Sequence, residues 1–576
     1  MNSKSSDIVI GIDFGTTYSG VSWAYPGRKE IRLITDWPNP KTKNPNNEKV
    51  PSTISYANGK VERWGYSNTT RDKTFKWFKI LLEPNHKYHD EVQEVKDSST
   101  LLKSLNKAPE EIVADYLRIL WEYTMEDIRK DRGDDNWKRD YALKVVITVP
   151  AMWSHAAKEK TKKAAVMAGM PDNITMITEP EAAALSVMRD KSDDDALGID
   201  DTFVVCDAGG GTVDLISYTI SKLVPLTVEE TARGEGGLCG SVFLNIGFQN
   251  HIETMVGEKE YKDLSEPAKR NMMMEFDQTL KRIFNEKSDQ VHSVDLFGVE
   301  DDPANGIEND IVVLKKADLK AMFDHVILQV EALISKQIAQ IREKGKSVKA
   351  ILLVGGFGES SYLYERIESR NRSAGIPVQR AQGAWSAICR GATLAGLEGI
   401  KGAVSRGPKV KSRILRHSYG FPVMIPFNPT IHELRDKILD PAEGIYMAKG
   451  QMSWLLHAGE SVENDRSVAA SVYESVQVGF WDNGDEDFQQ TLFCCEDPTP
   501  PVRQIETVGE LCEVHFKVSR SKLFMENSYK NPITGEKWRN ATFEFRVLTR
   551  RTGLDFAVMY KNELVGSVEA QYKEDF

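Results

Sequence analysis

The architecture of this chain can be inferred from one segment, Thr202-Phe-Val-Val-Cys-Asp207-Ala-Gly-Gly-Gly-Thr212-Val-Asp214. Its apolar start predicts a buried strand over Thr202–Asp207, which a glycine turn connects to a second strand. The same pattern occurs near the N-terminus, where the predicted strand Ile8–Asp13 leads into Gly15-Thr16-Thr17 and another apolar run. This repeat predicts two related lobes that face a common cleft.

The chemistry of both turns points to a polyphosphate. A tight turn without bulky side chains exposes backbone N–H groups to an anion, and the threonines add hydroxyl donors. Asp13 and Asp207 stand at strand ends and cannot touch phosphate directly, because two anions about 4 Å apart repel by roughly 4 kcal/mol at an effective dielectric near 20. A cation must lie between them. Mg²⁺ fits, because it keeps waters and is held by a few carboxylates plus phosphate oxygens.

A third glycine element follows the predicted strand Ala350–Val354. Gly355 and Gly356 leave room for a flat base or a ribose against the backbone. A lone Gly-Gly turn is more often structural, but after two phosphate-binding hairpins it is the expected nucleoside contact. Between these elements, apolar residues at a period of 3.6 predict helices over Pro109–Arg129 and Ala317–Lys344.

The motifs and their order resemble those of the seventy-kilodalton heat-shock chaperones. Four segments are similar to the phosphate-1, phosphate-2, adenosine and connecting motifs of that family. They are Asp13-Phe-Gly-Thr-Thr, Asp207-Ala-Gly-Gly-Gly-Thr-Val-Asp, Val354-Gly-Gly-Phe-Gly and Ile177-Thr-Glu-Pro-Glu-Ala-Ala-Ala. The resemblance covers residues 8–400. It implies an α/β fold, the duplicated ribonuclease-H-like, two-lobed nucleotide-binding domain of the actin-like ATPases, followed by a β-rich C-terminal domain.

The resemblance also implies ATP or ADP with Mg²⁺ as cofactors, and roles for individual residues. Asp13 and Asp207 resemble the acidic residues that hold Mg²⁺ through water. Glu179 resembles the carboxylate that helps to place the metal and the attacking water, and Asp214 resembles a further acid that orients the metal shell or the water. The residues implied to contact the nucleotide are Gly15, Thr16, Thr17, Gly209, Gly210, Gly211, Thr212, Gly236, Gly237, Gly355, Gly356 and Phe357.

The basic residues of the implied site leave alternatives open. Lys79 resembles the lysine that approaches the γ-phosphate, but Lys76 is a rival for that role, and Lys79 also suits an exposed structural position. Lys281 and Arg282 resemble a pair that packs on the adenine. Both residues also suit an ordinary helix surface.

Several positions depart from the family's pattern. Leu238 and Cys239 replace the acidic pair that follows the glycines, and Lys158 stands where arginine is usual. Arginine and lysine present different hydrogen-bonding groups, so this exchange is not neutral. The hydrophobic-acidic interdomain linker is absent, and a basic run at 401–416 takes its place. These differences leave open whether nucleotide state is coupled to the C-terminal domain.

The sequence predicts a domain boundary near residue 400. Residues 1–400 are expected to form the actin-like ATPase domain, with lobe I at about 7–201 and lobe II at about 202–400. Residues 401–418 are expected to form a basic linker, or alternatively to bind an acidic partner, and residues 419–576 a β-rich substrate-binding domain. No long helical lid follows. The tail Lys573-Glu-Asp-Phe576 lacks the family's docking signal for co-chaperones.

Composition restricts the function classes. The 576 residues are 41% hydrophobic and 28% charged, with a net charge of −11. This acidic balance disfavours a nucleic-acid-binding protein, which usually has a basic domain. No apolar stretch approaches the roughly 20 residues of a membrane span, and the N-terminus lacks the features of a secretion signal. The predicted location is cytoplasmic or nuclear.

The leading functional hypothesis is an ATP-hydrolysing chaperone that couples nucleotide state to the binding of unfolded or exposed polypeptide segments. Two alternatives use the same fold: a small-molecule kinase, and a nucleotide-gated scaffold that does not hydrolyse ATP. A fold does not determine a function, so the three must be separated by the chemistry of the site.

Overall fold

The chain changes character near residue 410. The computed structural model describes residues 6–25, 30–40, 46–69, 72–83, 92–190, 197–288, 290–381, 383–398, 400, 409–477, 484–551 and 553–568. The first of two units contains the residues up to Trp153 together with Lys160–Val410. The second contains Ser154–Glu159 together with the residues from Lys411 onward. The first unit is α/β and the second is β-rich. Most of the predicted basic linker, residues 401–408, and the tail 573–576 lie outside the described residues.

The N-terminal strands are β1 (Ser6–Phe14), β2 (Tyr18–Ala24), β3 (Arg32–Leu33), β4 (Val50–Pro51), β5 (Thr53–Ala57), β6 (Lys60–Trp64), β7 (Thr74–Lys76), β8 (Tyr141–Val149) and β9 (Thr175–Thr178). The accompanying helices are α1 (Gln93–Leu105), α2 (Pro109–Arg132), α3 (His155–Met167) and α4 (Glu179–Asp190). The first sheet has the order β3-β2-β1-β8-β9, with β4 beside β2, and β6-β5-β7 form a smaller sheet. Ile8, Val9, Ile10 and Ile12 of β1 are all buried, as expected for a central strand covered on both faces.

The next strands are β10 (Thr202–Ala208), β11 (Val213–Leu223), β12 (Leu226–Glu230), β13 (Glu235–Gly237), β14 (His292–Asp295), β15 (Ile307–Glu308), β16 (Ile311–Leu314), β17 (Val348–Val354) and β18 (Val378–Arg380). In the second sheet the path β18-β17-β10-β11-β12 repeats the strand order of the first sheet. The directions match as well: β2 and β11 run antiparallel to their central strands, whereas β8 and β17 run parallel to them. The two sheets therefore share one topology.

The helices of this second part are α5 (Val242–Val256), α6 (Glu258–Asp263), α7 (Glu266–Glu275), α8 (Lys281–Ile283), α9 (Lys316–Glu343), α10 (Ser361–Arg372) and α11 (Ala387–Leu397). Helices α2 and α9 confirm the two helices predicted from periodicity. Helix α11 follows the second sheet in sequence but packs against α4, β1, β2 and β8. Its Thr393 hydroxyl lies 2.6 Å from the Ser22 hydroxyl of β2, so the chain returns to the first sheet. None of the helices in the described ranges is long and apolar enough to cross a membrane.

Strand β19 (Lys409–Ile414) spans the boundary between the two units. The second unit then contains β20 (Ser418–Pro426), β21 (Lys437–Leu439), β22 (Tyr446–Leu456), β23 (Ser461–Glu463), β24 (Ser467–Val476), β25 (Asp485–Cys495), β26 (Gly509–Ser519), α12 (Arg520–Phe524), β27 (Ser528–Lys530), β28 (Lys537–Thr549), β29 (Leu554–Tyr560) and β30 (Glu563–Val568). Two antiparallel sheets, β21-β22-β20-β25-β26 and β24-β28-β29-β30, pack face to face. Phe516 of one sheet and Phe543 of the other lie 4.9 Å apart between ring centroids. Side chains of β28 alternate between core and surface, which is typical of a sandwich strand.

Candidate functional site

A cavity of about 350 Å³ lies where the β1–β2 and β10–β11 hairpins meet. Asp13 and Asp207 both line it, so the two strand-end carboxylates share one site. The predicted site residues on its wall are Asp13, Gly15, Thr16, Thr17, Glu179, Asp207, Gly209, Gly210, Gly211, Thr212, Lys281, Arg282, Gly355, Gly356 and Phe357. The other predicted residues, Lys79, Asp214, Gly236 and Gly237, are described by the structure but do not line it.

The glycine turn after β10 packs directly against the threonine turn after β1. A Cβ atom at Gly210 would lie 2.8 Å from Thr17 Cγ2, so only glycine permits this approach. A Cβ atom at Gly211 would lie 3.4 Å from Thr16 Cγ2. The two turns are therefore in contact, and both line the same cavity.

Three consecutive N–H groups at the start of α5 hold the glycine turn in place. The N–H of Gly240 donates to Gly211 O at 3.1 Å, that of Ser241 to Gly209 O at 3.1 Å, and that of Val242 to Gly210 O at 3.0 Å. These bonds fix the turn without any ligand. Such preorganisation is what makes backbone donors effective toward a charged group.

Three carboxylates of the cavity wall, those of Asp13, Glu179 and Asp207, and that of Asp214 lie near enough for their charges to act on one another. Burial, followed by the charges of Glu179, Asp214 and Asp13, raises the pKa of Asp207 well above its usual range. Asp207 Oδ1 is buried and has no hydrogen-bond partner among the described residues. A buried, unpartnered carboxylate oxygen in an acidic cluster is suited to a cation. Among the described residues no three carboxylate, histidine or cysteine side chains converge to hold a metal ion by themselves, so Mg²⁺ would be held here partly through its own waters and phosphate oxygens.

Lys79 is paired with Glu179, which lines the cavity, but does not line the cavity itself. Its Nζ atom is 2.7 Å from Glu179 Oε1, and it lies 5.0 Å from the ring centroid of Trp153 and 5.6 Å from that of Phe14. Lys76, the rival, lines the cavity. Which of the two lysines approaches the γ-phosphate stays a prediction.

Raising the pH from about 5 to about 8 is expected to destabilise the first unit through Glu179. Burial is the main cause that raises the pKa of Glu179 to about 7; Lys79 opposes it, and Asp13 and Asp214 add to it. The ordinary pKa of a glutamate in an unfolded chain is about 4.3. Between these two values the folded state keeps a proton that the unfolded state has lost, so the free energy of unfolding falls as pH rises.

Thermal melts of the full chain across this pH range measure the effect. Hydrogen exchange of β1 shows that the first unit is the part affected. Glu179→Gln cannot titrate and should show a shallower fall. Asp207 contributes with the same sign, so the slope should decrease rather than vanish. Equal slopes in both proteins would contradict the assignment to Glu179.

Lys49 lines the cavity although no pattern in the sequence pointed to it. Its Nζ atom donates to Asp13 Oδ2 at 2.6 Å, and both side chains are buried. Burial alone would lower the pKa of Lys49, but the charge and hydrogen bond of Asp13 raise it above its usual value. The pairing of β4 with β2 brings Lys49 to this position, and that long-range contact has no local signal.

Lys281 and Arg282 lie at the other end of the cavity. Lys281 Nζ forms an ion pair with Asp277 and donates to Asn245 Oδ1 at 3.1 Å. The guanidinium carbon of Arg282 lies 5.7 Å from the ring centroid of Trp385. Lys281 is therefore held by its neighbours. Arg282 presents a flat cation beside an aromatic ring and also forms an ion pair with Glu359 at 3.6 Å.

Trp385 is a second cavity residue that sequence analysis missed. Its ring meets Tyr18 edge to face at 5.5 Å between centroids, and a Cβ atom at Gly356 would lie 3.5 Å from its Cδ1. Aromatic and guanidinium groups around a glycine backbone suit a planar base. A tryptophan without a motif around it carries no functional signal in the sequence.

Gly236 and Gly237 support the β10–β11 hairpin from behind. Strand β13 pairs with β11, so that Asp214 faces Gly236 and Val213 faces Gly237. A Cβ atom at Gly236 would lie 3.0 Å from Asp214 Oδ1. Within the described residues, these glycines and Asp214 therefore stand behind the cavity wall.

Comparisons with known proteins agree with this architecture. Chaperone protein DnaK of Mycoplasmopsis pulmonis is 26% identical over 357 residues, which are 61% of this chain and 52% of that protein. Heat shock 70 kDa protein 12A of Mus musculus is 23% identical over 488 residues, 70% of this chain and 71% of that protein. The human protein of the same name is 22% identical over 488 residues, with the same shares of both chains. The chain spans about half the length of the DnaK chaperones that it matches.

Two family matches divide the chain in the same way as the structure. A domain of unknown function (DUF8568) matches residues 413–575, which belong to the β-rich second unit. The family described as Hsp70 protein matches residues 9–370, and these residues contain both hairpins and most of the cavity wall. That match covers more than half of the chain and implies a two-lobed, ribonuclease-H-like fold, in agreement with the two sheets of equal topology. The chain belongs to the Hsp70 protein family.

Proposed function

We propose that this chain binds ATP or ADP together with Mg²⁺ in the cavity of the first unit, and that it hydrolyses ATP. Members of the Hsp70 family are ATPases that bind these nucleotides with Mg²⁺, which supports the proposal at the family level. The observation that carries it is the meeting of two glycine-threonine hairpins, with Gly210 against Thr17, over a cluster of carboxylates. Such a cradle offers preformed donors to a polyphosphate.

The chain's own side chains bind and orient the phosphates in this proposal. The hydroxyls of Thr16, Thr17 and Thr212 border the cavity and are suited to donate to phosphate oxygens. Mg²⁺, when bound near Asp13 and Asp207, supplies the positive charge that separates these carboxylates from the phosphates.

Glu179 is the candidate base for hydrolysis. Burial first, against the opposing charge of Lys79, raises its pKa to about 7, which makes it a stronger base than an ordinary carboxylate. It would accept a proton from the water that attacks the γ-phosphorus while the bond to the ADP oxygen breaks. The rest of the catalysis is positioning and charge stabilisation, as in other phosphoryl transfers.

We infer that the second unit binds exposed polypeptide segments in a chaperone-like activity. Ile431, Leu434 and Val502 are 72%, 78% and 78% exposed. Arg503 forms an ion pair with Asp436 at 2.7 Å, and this pair brings the segment of Leu434 next to that of Val502. Apolar side chains grouped on a surface commonly mark a binding site for another protein.

Mg·ATP is expected to stabilise the first unit and to be hydrolysed by the full chain. At a hundred times its Kd, the ligand should add about 2.7 kcal/mol to the free energy of unfolding, measured as a thermal shift. Phosphate release from the same samples measures turnover. Thr212→Ala removes one donor from the cavity and should lower turnover about a hundredfold.

An unfolded peptide should raise the rate of phosphate release. The double variant Leu434→Ser/Val502→Ser should lose this stimulation and keep its basal turnover, because both side chains lie in the second unit. A chain that shows no thermal shift with Mg·ATP would contradict nucleotide binding. Phosphate found on a metabolite instead of in solution would support the kinase alternative, and tight binding without turnover would support the scaffold.

Three further expectations stay predictions. The lack of nucleic-acid binding is expected from the acidic composition, and a cytoplasmic or nuclear location is the second of these expectations. The third is the coupling of nucleotide state to polypeptide binding; residues 401–408, part of the basic run that stands in place of the family's linker, lie outside the described residues.

A further inference from the structure

The backbone at Lys49 is held beside the strand that faces Asp13. In the pairing of β4 with β2, Val50 faces Ser19 and Pro51 faces Tyr18. The hydroxyl of Tyr66 donates to Lys49 O at 3.0 Å, which fixes the carbonyl of the lysine itself. Lys49 therefore enters the cavity from an anchored segment.

The stem of Lys49 passes over a glycine. Gly20 is the residue of β2 that faces Asp13 across the hairpin. A Cβ atom at Gly20 would lie 3.1 Å from Lys49 Cγ, so the missing side chain leaves the space that the lysine uses. The side chain of Lys49 is 7% exposed and that of Asp13 is 2% exposed. The pairing of β1, β2 and β4 thus places the Lys49 ammonium beside the Asp13 carboxylate.

The ammonium still has donors to offer to a ligand. A lysine ammonium carries three N–H groups. The structure gives one hydrogen bond from Lys49 Nζ, to Asp13 Oδ2 at 2.6 Å, within the described residues. Lys49 also borders the same cavity as the threonine and glycine turns. A phosphate oxygen in that cavity can therefore receive a hydrogen bond from a cation that belongs to the protein.

We propose that Lys49 is a built-in cation of the phosphate site, which neutralises Asp13 and donates to a nucleotide phosphate, so that nucleotide binding depends only weakly on a divalent metal. This proposal rests on the proposed function, in which the cavity binds ATP or ADP. Asp207, whose Oδ1 atom has no hydrogen-bond partner among the described residues, keeps a place for Mg²⁺ in the site. Lys49 then supplies at Asp13 the positive charge that the proposed function assigns to Mg²⁺, and the metal acts on Asp207.

Isothermal titration calorimetry tests the proposal by affinity rather than by turnover. The full chain is titrated with ATP and with ADP, each in excess Mg²⁺ and in excess EDTA. In the wild type, removing the metal should weaken binding by less than about tenfold, because one charge-assisted hydrogen bond remains. In Lys49→Met, removing the metal should weaken binding by about a hundredfold or more. Lys103→Met, which removes an exposed lysine on α1, is the matched control and should behave as the wild type.

A double variant keeps the proposal testable if Lys49→Met does not fold. Lys49→Met leaves Asp13 buried without the ammonium, although the Thr148 hydroxyl still donates to its Oδ1 atom at 3.4 Å. Lys49→Met/Asp13→Asn instead removes both charges and keeps both shapes. The double variant should fold, by circular dichroism, and should still lose more than about tenfold in affinity on removal of the metal.

The outcomes separate this proposal from the proposed function. A wild type that binds neither nucleotide in Mg²⁺ would overturn nucleotide binding itself. Tight binding in Mg²⁺ that is lost in EDTA, with Lys49→Met indistinguishable from the wild type in both solutions, would overturn the role of Lys49 alone. The role of Lys49 would also be overturned if removing the metal weakened nucleotide binding by the double variant no more than by the wild type.

Discussion

Replacing Lys79 by methionine is expected to lower the free energy of unfolding of the first unit by about 3–5 kcal/mol. Lys79 is 1% exposed and Glu179 is 8% exposed, so the change would leave a buried carboxylate without its partner. The interaction of the ammonium with the rings of Trp153 and Phe14 would be lost as well. Urea unfolding of the full chain, followed by hydrogen exchange of β1 and β8, measures the loss in the first unit.

Two further variants identify the cause of this loss. The double variant Lys79→Met/Glu179→Gln removes both charges and should recover most of the stability, because a buried ion pair replaced as a whole is often close to neutral. Lys76→Met is the matched control: Lys76 is exposed, and its replacement should change stability by less than about 0.5 kcal/mol. A single variant Lys79→Met as stable as the wild type would show that the pair does not hold the unit together.

The same variants decide which lysine approaches the γ-phosphate. If Lys76 does, Lys76→Met should weaken the binding of ATP more than that of ADP, since only ATP carries the γ-phosphate. If Lys79 does, this selective loss should appear in the double variant Lys79→Met/Glu179→Gln instead. The cavity wall contains Lys76 and not Lys79, which favours the first outcome.

Replacing Gly240 by alanine is expected to weaken ATP binding about a hundredfold, by analogy with the cost of misplacing a reacting group by about 1 Å. A Cβ atom at Gly240 would lie 2.5 Å from the carbonyl carbons of Gly210 and Gly211. Both are backbone atoms, so no side chain can swing away and the glycine turn itself must move. The move would also break the hydrogen bond from the Gly240 N–H to Gly211 O.

Gly247→Ala is the matched control for this prediction. Gly247 lies in α5, seven residues further along, and a Cβ atom there would lie 3.9 Å from Met322 Cγ, an ordinary contact. Alanine in a helix interior should stabilise the chain by about 0.5–1 kcal/mol and leave ATP affinity unchanged. Thermal melts and isothermal titration of both variants measure the two effects. Unchanged ATP affinity in Gly240→Ala would show that the glycine turn does not need the support of α5.

The hairpins of the candidate site were predictable because their signal is local. An apolar run, an aspartate at its end and a glycine turn lie within a few neighbouring residues, as in Thr202–Asp214. Backbone geometry restricts what such a segment can form, so the pattern indicates a strand, a turn and a strand. Helix α9 was predictable for the same reason, since its buried residues recur along one face.

Other cavity residues were not predictable because their positions depend on distant pairings. Lys49 reaches Asp13 through the pairing of β4 with β2 and the space over Gly20. Trp385 reaches the nucleoside end through its contact with Tyr18 of the first sheet. A resemblance to a family transfers roles to matching motifs, and neither residue stands in one.

The amino-acid order specified the repeated strand-turn-strand unit, the α/β class of the first unit, and Asp13 and Asp207 as partners in one site. It specified these because they follow from periodicity and from the few conformations that glycine turns allow. The charge state of the site came from the folded chain: Lys49 is paired with Asp13, Lys79 is paired with Glu179, and Asp207 has an oxygen with no hydrogen-bond partner in the part of the chain that the structure describes. Charge partners depend on burial and on which strands meet, and those are properties of the packed molecule rather than of any short stretch of residues.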